Sequence, residues 1–66
     1  MNKNLKIARI QKNMTQKELC NVVGIGVNTL VKLEKGDYST LKYPTMLRLS
    51  KVLDKKINEL FFSEEE

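Results

Sequence analysis

Residues 14–36 read MTQKELCNVVGIGVNTLVKLEKG, and the order of residue types in that stretch decides the fold. The Thr15 hydroxyl is placed to accept the backbone N–H three residues on. Glu18 stands where its carboxylate reaches back to the Thr15 amide, and Met14 and Leu19 are spaced to clasp the entry from outside. A helix therefore starts at Thr15. Val22 and Val23 are expected to complete its apolar face, and Gly24 supplies the positive φ that a sharp stop requires. After the turn Gly24-Ile25-Gly26, another helix is expected over 27–35, with Leu30 and Leu33 inward and its end at Gly36. Two short helices separated by a three-residue turn make a helix-turn-helix.

Outward from this stretch, apolar residues recur at threes and fours more often than at twos, which is the helical period. A helix is expected over 3–12, with Leu5 and Ala8 inward, Lys3, Lys6 and Lys12 outward, and Asn13 tolerating the left-handed turn that ends it. On the other side, 37–42 reads as a loop. Pro44 suits the first turn of a fourth helix, where its missing N–H costs nothing, and Met46, Leu49 and Leu53 are spaced to face a core. A last helical turn over 58–62 closes the domain with Ile57, Leu60 and Phe61. The expectation is an all-α, compact five-helix bundle: one domain over 1–63, followed by an acidic tail at 64–66.

The chain has 66 residues with no His and a single Cys. The usual zinc spacings and Cys-His or Ser-His nucleophile pairs cannot be written, so neither a metal, a cofactor nor triad chemistry is expected. Cys20 reads as a small core residue, and a lone thiol forms no internal disulfide. No apolar run approaches the ~20 residues of a membrane span, and the start MNKNLKIARI lacks the apolar core of a secretory signal, so no membrane partner and a cytoplasmic location are expected. Net charge is +4, but residues 64–66 are all Glu, and residues 1–63 carry 12 positive against 5 negative charges, or +7. So basic a body points to a polyanionic partner.

In a helix-turn-helix the outer face of the second helix reads base edges in the major groove, and the first helix lies across the backbone. Asn28, Lys32 and Lys35 stand at i, i+4 and i+7 and share the face opposite Leu30 and Leu33. Asn pairs bidentately with adenine, and Lys donates to guanine. Val27 and Val31 border the same face, where an apolar group suits the methyl of thymine. Gln16, at the start of the first helix of the motif, presents an amide beside unpaired N–H groups and a positive dipole end, which favours a phosphate. Tyr38 and Lys42, around the following loop, join the phosphate candidates, while Tyr43 either meets phosphate or packs under the fourth helix. Phe62 cannot face the same way as Phe61, so it is a scattered exposed aromatic or, as the absence of a second domain favours, a dimer contact.

Thr15-Gln16-Lys17-Glu18-Leu19, Gly24-Ile25, Thr29-Leu30, Leu33-Glu34-Lys35-Gly36, Leu49-Ser50-Lys51-Val52-Leu53 and Asn58-Glu59-Leu60-Phe61 together resemble the Cro and phage-repressor (XRE-type) helix-turn-helix family, over about 5–61. The resemblance implies a five-helix, lambda-repressor-like bundle that binds operator DNA as a homodimer to regulate transcription. It implies that Val27, Asn28 and Lys32 read bases, that Gln16, Gly26, Thr29 and Lys35 lie nearer the phosphates, and that Arg9 pairs with Glu34. There are departures: Gly26 replaces a common Ser or Thr cap, Val27 and Val31 occupy commonly polar places, the 37–42 loop is about a residue longer than usual, and Lys55 and Lys56 replace an apolar residue and a Ser cap.

The function expected is therefore a sequence-specific double-stranded DNA-binding transcriptional regulator, a repressor of a palindromic operator, and not an enzyme. The competing reading is a protein-interaction module of the same fold, using Val27, Val31 and Phe62 on a partner regulator or toxin. Acid–base catalysis lacks any recognisable carboxylate pair, and RNA binding by stacking has only four aromatics to draw on, none in the recognition helix.

Overall fold

The computed structural model describes residues 3–62, and the expected tail at 64–66 lies outside them. Five helices follow one another: α1 (Asn4–Gln11), α2 (Gln16–Val23), α3 (Val27–Glu34), α4 (Tyr43–Leu53) and α5 (Ile57–Phe61). No strand occurs among the described residues.

Local chemistry sets the boundaries. At α2 the Thr15 hydroxyl accepts the Glu18 N–H at 3.0 Å, and the Glu18 carboxylate accepts the Thr15 N–H at 2.8 Å. These reciprocal bonds satisfy two of the donors that a helix start leaves open. Helix α1 ends through Asn13, whose φ of 57° lets the Asn13 and Met14 amides turn back to the carbonyls of Ile10 and Arg9. Gly36, at φ 93°, does the same for α3, with the Gly36 and Asp37 amides on Leu33 and Lys32. Each is a residue in the left-handed region closing orphan carbonyls.

Helix α5 begins one residue earlier than its sequence suggests. The Lys56 side chain has no acceptor, yet the Glu59 carboxylate accepts the Lys56 N–H at 2.9 Å, so half of a capping box survives without the Ser.

One contiguous core joins the helices. Leu5, Leu19, Leu30, Leu33, Leu49, Leu53 and Leu60 are all fully buried, with Ala8, Cys20, Val23 and Phe61 around them. Burying a leucine stabilises by about 1.5–3 kcal/mol, so these seven side chains carry most of the apolar driving force. Helix α3 packs on α1 and α2, α4 packs on α2 and α5, and α5 closes against α1. Asn4 fastens that closure by donating Nδ2 to the Glu59 carbonyl at 2.8 Å.

One core expectation needs correction. Val22 is 61% exposed. The stripe that α2 buries is Leu19, Cys20 and Val23, and at 3.6 residues per turn Val22 sits about 100° from its centre. Met46 faces the core as its spacing predicts, packed half-buried at the margin while Leu49 and Leu53 lie within it.

Candidate nucleic-acid interface

Helix α3 sends Leu30, Leu33 and Glu34 inward and leaves Asn28, Lys32 and Lys35 exposed on the opposite face. Val27 is 43% exposed at the first helical position, and Val31 and Thr29 are half-buried along the flanks. Gly26 is the N-cap residue and bonds no helix N–H through a side chain. Its φ of −78° is ordinary, and a Cβ added there would meet nothing within 4 Å.

The mount beneath that face is polar and buried. Arg9 Nε donates to Glu34 Oε2 at 2.7 Å, with both side chains nearly sealed from water. Arg9 Nη1 donates to the Met14 carbonyl at 2.8 Å, and Gln16 Nε2 donates to Glu34 Oε1 at 2.9 Å. One carboxylate thus ties the last turn of α3 to α1 and to the first residue of α2. A charge-assisted pair of this kind fixes geometry as well as energy. The Gln16–Glu34 bond has no local signature in the sequence, because its partners are 18 residues apart.

Lys42 is exposed immediately before α4, and Tyr43 is 63% exposed, so it does not pack beneath that helix. Tyr38 is placed otherwise than a phosphate contact requires. Its ring stands edge-on to Phe61 with centroids 5.5 Å apart, and its hydroxyl is buried with no hydrogen-bond partner among the described residues. Burial also pushes the Tyr38 phenol above its ordinary pKa. Tyr38 is accordingly a core-edge residue and leaves the candidate phosphate set. The loop between is braced by Asp37, whose carboxylate accepts the Ser39 hydroxyl at 2.7 Å and the Ser39 N–H at 3.1 Å, and these bonds hold its pKa low.

Cys20 is buried, and its thiol is pushed up first by burial and then by the negative charge of Glu34. Among the described residues no group of three or more His, Cys, Asp or Glu side chains comes together, and no helix is long and apolar enough to cross a membrane. Phe62 is 63% exposed at the end of α5.

A leucine-cored bundle whose second and third helices meet at a glycine-bounded turn, with the third helix polar outside and clamped inside, defines a helix-turn-helix protein. The comparisons agree: the chain belongs to the helix-turn-helix family, which matches residues 5–60. It is 39% identical over 67 aligned positions to an uncharacterized HTH-type transcriptional regulator of Archaeoglobus fulgidus, an alignment spanning 100% of this chain and 92% of that protein. No solved structure matches it significantly.

Proposed function

We propose that the protein is a sequence-specific regulator that binds double-stranded DNA as a homodimer, one α3 per half-site of a palindromic operator, and represses by occupying it. The observation that carries this reading is the exposed row Asn28, Lys32 and Lys35 on a helix whose inner side is held by the Arg9–Glu34–Gln16 network. A rigid mount matters, because base readout requires side chains positioned in advance against donors and acceptors in the major groove.

In this scheme Asn28 addresses adenine, Lys32 addresses guanine, and Val27 touches a thymine methyl. Gln16, Gly26, Thr29, Lys35 and Lys42 lie towards the phosphates. Gln16 serves twice, since one amide hydrogen goes to Glu34 and the other is left for a phosphate oxygen. Phe62 lies exposed at the end of α5, where it is available to a second copy. Two-fold symmetry then sets half-site centres roughly 34 Å apart.

Selection of bound duplexes from a random pool tests the proposal. The expected result is a two-fold symmetric consensus. Asn28→Ala and Lys32→Ala should each lower the preference for it over random duplex by about 1–3 kcal/mol. Gln16→Ala should weaken both alike. Recovery of no consensus, together with salt-insensitive capture of a protein partner through Val27 and Phe62, would replace this reading with the interaction module.

A further inference from the structure

Helices α1 and α5 flank a hollow of about 220 Å³, with Ala8 and Leu60 at its floor and Ile7, Gln11, Lys55 and Glu59 around its rim. Beside it stands the exposed Phe62, one turn along from Glu59, with its N–H bonded to the Asn58 carbonyl. Building on the homodimer proposed above, we propose that the Phe62 ring of each copy enters this hollow of the other. Helix α1, which carries none of the residues assigned to DNA, then supplies the receiving half of the dimer interface.

Shape favours a second copy as the occupant. A projecting ring and a hollow side by side on one flank are self-complementary, because a two-fold axis between them lays each ring over the other hollow. The size agrees, since a cavity of roughly 150 Å³ takes up benzene. What awaits the ring is apolar: Ile7 is 43% exposed at the rim, and Ile10, one turn further along α1, is 53% exposed. Among the described residues the other large exposed apolar side chains are dispersed, with Val22 on α2 and with Val27 and Tyr43 at the starts of α3 and α4. Single exposed apolar residues are ordinary, whereas several on two packed helices beside a hollow mark an association site.

Charge points to the same occupant. The chain carries +4, so two copies repel over most of their surfaces. The rim of this hollow holds one cation and one anion, Lys55 and Glu59, and a two-fold axis lets each meet its opposite on the other copy. Glu59 accepts the Lys56 N–H through Oε1, which leaves Oε2 for that contact. A strongly acidic partner would find no net charge at this rim to attract it.

The orientation leaves α3 free. Arg9 reaches across to Glu34 on α3, and at 3.6 residues per turn Ile7 stands about 160° around α1 from Arg9. The receiving face of α1 is thus turned away from α3, and both copies can present α3 to one duplex.

Sedimentation velocity without DNA, over a concentration series, tests the interface by complementation. Phe62→Ala removes the ring and Ile7→Lys blocks the hollow, so each should raise the dimer dissociation constant by about tenfold or more. An equal mixture of the two variants regains one of the two contacts, because the ring of the Ile7→Lys copy still finds the open hollow of the Phe62→Ala copy. The mixture should therefore associate more tightly than either variant alone. Val22→Lys, which places the same charge on α2, should match the parent. If free association is too weak to read, cooperativity of half-site filling on the selected duplex gives the same comparison. Thermal melting checks folding, and if Ile7→Lys melts early, Gln11→Trp fills the hollow from an exposed position on its rim and takes its place.

A parent dimer indifferent to Ile7→Lys, or a mixture no tighter than its components, overturns the hollow and leaves the homodimer and the DNA binding standing. A parent that is monomeric at every concentration and fills half-sites independently overturns the second copy as occupant and the homodimer with it. Capture of a different protein by that monomeric parent, and not by Ile7→Lys, would give the flank to that partner instead. Complementation without any duplex binding would uphold this interface and overturn the DNA-binding reading alone.

Discussion

The Tyr38 hydroxyl is desolvated without an acceptor among the described residues, while the ring that carries it packs well on Phe61. Leaving such a group unpaired costs about 1–3 kcal/mol. Tyr38→Phe keeps the edge-on contact and removes the cost, so stability should rise by about 1 kcal/mol, seen as several degrees in a thermal melt. Burial holds the folded phenol above its unfolded pKa near 10, so stability is intact below that value and is lost as pH climbs through it. The phenylalanine variant should flatten that alkaline loss. Duplex affinity should not change, because the hydroxyl is not offered to a phosphate. Gly26 presents the opposite case, an exposed residue with ordinary φ and open space around its missing Cβ. Gly26→Ser supplies a capping hydroxyl and a less flexible unfolded chain, and should stabilise by about 0.5–1 kcal/mol in urea unfolding.

At the scale of elements the decisive object is the clamp between α1 and α3. Removing one partner of a buried pair leaves an uncompensated charge and costs about 3–5 kcal/mol, whereas exchanging both for apolar residues of similar size is often near neutral. Arg9→Met and Glu34→Leu should each lower the urea midpoint severely, and the double variant should recover most of the loss. A double variant as unstable as either single one would mean that the bonds to Met14 and Gln16, not the pair, do the holding. The clamp also marks how far the sequence was legible. Starts and stops written in neighbouring residues could be read directly: the Thr15–Glu18 box, and the left-handed stops at Asn13, Gly24 and Gly36. The outer row of α3 followed from helical spacing alone. Val22 could not be placed, because a helix of eight residues has too few apolar positions to fix the centre of its buried stripe. The Tyr38 position, the Gln16–Glu34 bond and the Asn4–Glu59 clasp depend on partners 18 or more residues away, and no local pattern carries them.

Across the whole molecule, one core touches every helix, so opening any part of it exposes the rest, and a domain this small is expected to unfold in a single step. Cys20 reports that step. It is 3% exposed, it belongs to the shared core, and burial together with Glu34 keeps its thiol protonated. The reactive species is the thiolate, so a thiol reagent should modify Cys20 only after global opening. A ligand that binds the folded chain alone suppresses that opening by the factor 1 + [L]/Kd, about a hundredfold at a hundred times Kd. Addition of the selected duplex should therefore slow Cys20 modification by the factor its affinity dictates, and raising salt should restore the rate as phosphate contacts are lost. Random duplex at the same concentration should protect far less. A rate that ignores duplex shown independently to be bound would mean that Cys20 is reached by a local motion of α2, and the single-step description of this core would have to be given up.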